Sequence, residues 1–158
     1  AESPGKMRRT IIKAVMLASA MIALNLAQPL ALATDAAEKK AMTRIKFIIG
    51  TDELYATLDD TASGRDFAKL LPLELTLSDY HGIEKIADLP RRLDITGAPA
   101  SFAASPGDIT LYAPWGNLAI FYKSFPATSG LIRLGAFDGP IEMLLKDGKF
   151  RIRIEQTD

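Results

Sequence analysis

The 158-residue chain has no cysteine, one histidine and one tryptophan. Without thiols it can have no disulfide framework, no thiolate-held zinc or iron–sulfur cluster and no cysteine nucleophile. The single His81 has no second imidazole at ligand spacing, so neither a metal nor any other cofactor is expected. A surplus of positive charge is also missing, since 19 Lys and Arg stand against 19 Asp and Glu. A protein that grips nucleic acid through its phosphates would show a basic balance, so nucleic acid is not an expected partner. Internal repeats, low-complexity tracts and a second domain are likewise absent, and the length suits one domain.

The first 33 residues carry a targeting pattern. Met7-Arg8-Arg9 forms a basic start, Ala14 to Leu24 is almost wholly apolar, and Ala31-Leu32-Ala33 places small residues where a signal peptidase reads. Cleavage is expected after Ala33, which makes the mature chain periplasmic or secreted and leaves it with no membrane contact. Residues 1–6 precede Met7 and read as an upstream extension. The competing reading is a retained anchor, because Ala14 to Ala33 is uncharged and about long enough to span a bilayer; Asn25, Gln28 and Pro29 count against it. Removal of the segment takes away four basic residues and one acidic, leaving 15 basic and 18 acidic groups. Residues 34–43, rich in Ala, Lys and Glu, read as a tether, and the packed domain is expected over 44–158.

Within that domain the periodicity is mostly that of strands. Arg44 to Ile49 begins as an alternation of charged and apolar residues, then turns through Gly50-Thr51-Asp52 into Leu54 to Leu58, which predicts an opening β-hairpin. Asp60 to Ser63 offers helix caps, and Phe67, Leu70 and Leu71 fall at helical spacing before Pro72, predicting one short helix. Leu73, Leu75 and Leu77 then alternate with polar residues. Beyond them, Pro and Gly cut the chain into short segments at 83–87, 108–113, 118–122, 131–137 and 149–154, long enough for strands and too short for helices. Pro140 to Leu145 is a candidate second helix. The economical architecture is mainly β, a barrel or sandwich.

Four segments carry a family resemblance: Leu89-Pro90-Arg91-Arg92-Leu93, Ser105-Pro106-Gly107-Asp108-Ile109, Tyr112-Ala113-Pro114-Trp115-Gly116-Asn117-Leu118-Ala119-Ile120-Phe121-Tyr122, and Gly130-Leu131-Ile132-Arg133-Leu134-Gly135. Together they resemble the small bacterial cyclophilin-like domains over residues 44 to about 155. The resemblance implies a closed eight-stranded β-barrel with one or two short helices. It also implies two activities to weigh. One is peptidyl-prolyl isomerisation, which needs a guanidinium near the prolyl nitrogen and an apolar seat for the ring; Arg91 or Arg92 is the candidate, although Ala119 stands where the cyclophilin pattern places a pocket aromatic. The other is a partnership with a flavodoxin-like redox protein, since some relatives are joined to such domains.

A third reading is a module that binds a small molecule, a peptide or a protein. Trp115, between Pro114 and Gly116, is its candidate anchor, either an exposed platform or a plug packed into the barrel. Tyr112 and Tyr122, with Phe121 and Phe125, raise the local aromatic density, which alternating inward-facing core residues also explain. Asn117 is either a site residue or a turn residue satisfying backbone groups. Arg91 and Arg92, adjacent on an extended segment, should point to opposite faces, as anchors for a carboxylate or carbonyl or as surface partners of Asp88 or Asp94. The candidate ligand-binding set is therefore Arg91, Arg92, Tyr112, Trp115, Asn117 and Tyr122. Ser78, Asp79 and His81 lie too close in sequence for a catalytic triad, and Asp79-Tyr80-His81-Gly82 reads as a polar turn.

Overall fold

The structure, a computed structural model, describes residues 42–157; the expected export signal and the tether as far as residue 41 lie outside the described residues. The chain opens with strands β1 (Thr43–Ile49) and β2 (Asp52–Leu58), joined by the two-residue turn Gly50-Thr51 with Gly50 at φ 62°. Helix α1 (Ala62–Ala68) follows, its first turn capped by the Thr61 hydroxyl, which accepts from the Gly64 N–H at 3.0 Å. Then come β3 (Leu73–Tyr80), β4 (Glu84–Asp88), β5 (Ser101–Ala104), β6 (Asp108–Tyr112), β7 (Asn117–Phe121), β8 (Phe125–Ser129) and β9 (Leu131–Phe137). The expected second helix is a single 3-10 turn at Glu142–Leu144, and β10 (Phe150–Gln156) closes the chain.

Eight strands form a closed antiparallel barrel in the order β1-β10-β3-β4-β7-β6-β9-β2. The closed eight-stranded barrel expected from the resemblance is therefore the observed architecture. Its interior is packed with side chains: Ile45, Phe47, Leu77, Leu118, Leu134 and Ile154 are fully buried. Barrels of this strand number are just wide enough for side chains to fill. At the closing seam between β2 and β9 a Cβ on Gly135 would lie 2.2 Å from the Thr57 carbonyl oxygen, so the two backbones meet this closely only because residue 135 has no side chain. The helix adds Phe67 and Ala68 to the same core. Among the described residues no helix is long and apolar enough to cross a membrane.

Strands β5 and β8 pair only with each other and lie outside the barrel. They cover a second apolar cluster on the outer face of the wall, built on Ala104, Ala119, Phe121 and Leu131, with Phe102, Tyr112 and Phe125 packed against it. Inward-facing core positions therefore do not account for Tyr112, Phe121 and Phe125, which belong to this second cluster. Along β7 the inward positions are Leu118 and Ile120, which join the main core, and the aromatic Phe121 belongs to the outward set.

Candidate functional site

Outward positions of neighbouring strands line up by register. On β7 they are Asn117, Ala119 and Phe121, paired with Asp88, Ile86 and Glu84 of β4. On β3 they are Thr76, Ser78 and Tyr80, of which Ser78 and Tyr80 pair with Ile86 and Glu84. Pairing of β3 with β4 stops at Ser78 and Ile86, although β3 extends back to Leu73 along β10 and β4 runs on to Asp88 along β7. The two strands splay there. A groove of about 480 Å³ opens on the outer wall, with Ile86 and Ala87 on its floor, Thr76 and Ser78 on one side, and Asp88 and Asn117 on the other. Lys149, just before β10, and Trp115, in the β6–β7 loop, complete its rim.

The Trp115 loop is held from several directions. Both the Trp115 and Gly116 N–H groups donate to the Tyr112 carbonyl, at 3.2 and 2.8 Å, and Gly116 at φ 70° turns the chain into β7. Arg92 Nη1 donates to the Ala113 carbonyl at 2.9 Å, and its guanidinium lies close against Gly116. On the far side Pro114 packs onto Gly130 so tightly that a Cβ there would be 2.8 Å from the proline ring. The indole itself meets Tyr112 and Tyr80 edge-on, with centroids 5.2 and 5.9 Å apart. Since Tyr80 is on β3 and the loop enters β7, Trp115 reaches across β4. It is nevertheless 59% exposed, so Trp115 does not plug the barrel.

Asn117 is not a turn residue. It is the first residue of β7, 5% exposed, and in register with Tyr112 and Asp88. Its Nδ2 donates to the Leu118 carbonyl at 3.1 Å, while Oδ1 is buried and meets no donor of the protein. The opposite amide orientation would set two oxygens against each other, so the Leu118 carbonyl fixes Oδ1 as the unmatched atom. A buried acceptor without a donor costs about 1–3 kcal/mol. Beside it, Asp88 makes no ion pair or side-chain hydrogen bond among the described residues, and neither does Lys149 across the groove.

The remaining candidates lie elsewhere. Arg91 grips Asp66 of α1 through Nη1 and Nη2 at 2.7 and 3.0 Å, so its partner is neither Asp88 nor Asp94. The Arg91 guanidinium, followed by the Asp94 N–H, holds the Asp66 carboxyl down at about 2. Adjacent as they are, Arg91 and Arg92 do diverge, one to the helix and one to the Trp115 loop. Tyr122, one residue beyond β7, donates its hydroxyl to Asp79, and burial together with that carboxylate pushes the phenol up to about 12. Asp79 is held below its usual value by the same hydroxyl, and also accepts the Gly82 N–H at 2.9 Å. It lies 3.5 Å from the buried Lys85 ammonium, which in turn donates to the Lys146 carbonyl at 2.8 Å. Burial raises the neighbouring Glu84 carboxyl.

The structure thus brings Arg92, Tyr112, Trp115 and Asn117 together and leaves Arg91 and Tyr122 in two other networks. Sequence reasoning missed Tyr80, Asp88, Thr76, Ser78 and Lys149, because strand register assembles them and no local motif contains them. Among the described residues no group of three or more His, Asp or Glu could hold a metal.

Comparison with known proteins agrees with the fold. A family model described as a cyclophilin-like family matches residues 47–155. The solution structure of a hypothetical protein from Archaeoglobus fulgidus superposes with a TM-score of 0.59 at 15% identity, covering 74% of this chain and 96% of that one. No curated protein matches the sequence.

Proposed function

The chain belongs to the cyclophilin-like family, and from that premise we propose that it is an exported binding module whose ligand sits in the outer groove beneath Trp115. The observation that carries this reading is Trp115, 59% exposed on the rim of a groove of about 480 Å³. A large aromatic more than half exposed, yet braced by Arg92, Pro114, Tyr80 and Tyr112, is organised before any ligand arrives, which lowers the ordering cost of binding. A barrel interior already filled by side chains leaves the outer wall as the place for a ligand.

The isomerase alternative needs a guanidinium turned toward the bound peptide. Arg91 commits both terminal nitrogens to Asp66, and Arg92 commits Nη1 to the Ala113 carbonyl, which favours binding over catalysis. Trp115 is the only tryptophan, so its fluorescence reports on the groove alone. Titration of the full chain with sets of amino acids, short peptides, oligosaccharides and flavins should give a saturable change for one class, lost in Trp115→Ala, while a proline test peptide isomerises at its uncatalysed rate. Emission that no class disturbs, or catalysed isomerisation, would overturn the proposal.

A further inference from the structure

The groove's polar groups are sorted by side. The β4–β7 wall carries a carboxylate and no cation: Asp88 lines it and makes no ion pair or side-chain hydrogen bond among the described residues. Asp88 and Asn117 are direct cross-strand partners on the same face, which places their Cβ atoms roughly 5 Å apart. An ammonium matches an unpaired carboxylate best, because it brings a positive charge and three donors and no acceptor. The wall carries one formal negative charge and the exposed indole beside it, and the face of a tryptophan attracts cations. On the opposite rim stands Lys149, a cation without a carboxylate partner among the described residues, with the Thr76 and Ser78 hydroxyls between. Lys149 precedes β10, two strands away from Asp88, a lateral span of about 10 Å.

Resting on the binding reading above, we propose that the groove takes a ligand with a primary ammonium group at one end and a carboxylate at the other, the chemistry of a free amino acid or a short unblocked peptide. The ammonium lies between Asp88 and the Trp115 ring, and the carboxylate faces Lys149. The span between the two charged rims suits a peptide of two or three residues better than a single amino acid, whose charged ends are only about 3 Å apart.

The test uses the full chain, Trp115 fluorescence, and four probes: glycine, triglycine, N-acetyltriglycine and maltotriose. Triglycine is expected to saturate, with glycine, N-acetyltriglycine and maltotriose each at least about tenfold weaker. Asp88→Asn, an exposed substitution that leaves the fold intact, should weaken triglycine about tenfold and leave N-acetyltriglycine unchanged. Lys149→Gln should weaken triglycine, while triglycinamide, added as a fifth probe for this variant, should bind as it does to the unsubstituted chain. Tighter binding of glycine than of triglycine would keep the ammonium and reject the peptide length. If N-acetyltriglycine or maltotriose binds as well as triglycine, the groove stands and the ammonium proposal falls. If none of the four perturbs Trp115, the ammonium proposal falls, and silence from every class in the wider titration above removes the groove as well.

Discussion

One strand, β7, shows two kinds of outer wall within five residues. At its far end Phe121, 1% exposed, is sealed beneath the β5–β8 pair and meets Phe125 at a centroid distance of 5.6 Å. At its near end the outward residue is Asn117, as buried as a core residue but polar, half satisfied, and bordering open solvent. The covered wall follows the ordinary rule that apolar surface is hidden and polar groups are paired. The open wall breaks it in two ways, with an exposed tryptophan and an unmatched acceptor. Departures of this kind cost stability, and they gather where a surface is shaped for a ligand. What separates the two ends is cover: the β5–β8 pair stops short of the β3–β4 splay.

The largest expected effect lies on the covered side. Phe121→Ala removes a fully buried ring from the outer cluster and should cost about 3–5 kcal/mol, read as a drop in the denaturation midpoint. A cost as small as that of an exposed substitution would mean that the β5–β8 pair is not a packed cover, and the contrast between the two walls would collapse.

Next in size is the Asp66–Arg91 pair, which holds the segment that carries Arg92 to the Trp115 loop. The fold depresses Asp66 to about 2, against roughly 4 in an unfolded chain. Its contribution is therefore complete above about pH 4 and is lost as the pH falls toward about 2, because the unfolded chain takes up the proton first. Asp66→Asn should lower stability at neutral pH by about 2 kcal/mol and flatten the acid limb of the stability profile. Residual acid sensitivity should remain, since Asp79 and Asp94 are also held below their usual values. An unchanged acid limb in Asp66→Asn would show that the pair does not anchor this segment.

How much of this was legible in the sequence follows the same division. Strands with strict alternation, such as Ile45-Lys46-Phe47 and Leu73 to Leu77, announce themselves because one face is buried and the other wet. The order in which eight strands close is set by pairings between distant segments, which no local pattern encodes; the family resemblance supplied the closure. Strands β5 and β8 escaped notice because Ser101–Ala104 is short and Phe125–Ser129 contains Pro126, the marks of a loop. Trp115 and Asn117 stood out through the Pro and Gly around them. Asn117, however, reads as part of the turn, because Gly116-Asn117 looks like turn chemistry until the register with Asp88 shows that the turn ends at Gly116. Arg91 and Arg92 were separable in principle by their opposite directions, but the partner of Arg91 lies 25 residues away in α1.

The smallest expected effect is the most discriminating, because it is expected near zero at a buried position. Asn117→Val keeps a branched side chain of similar size at the start of a strand, where β-branched residues fit well. It removes the unmatched Oδ1, whose burial costs about 1–3 kcal/mol, and with it one hydrogen bond to the Leu118 carbonyl worth about 1 kcal/mol. The two terms oppose each other, so the melting temperature should stay level or rise slightly. An ordinary buried polar residue, fully paired, would behave the other way: its replacement would strip a network and cost stability without touching any ligand. A marked loss of stability in Asn117→Val would therefore show that Oδ1 is matched in the folded protein and that the open wall obeys the same rule as the covered one. Stability retained would show that the open wall carries an acceptor the fold itself leaves unmatched, the departure that sets it apart from the covered one.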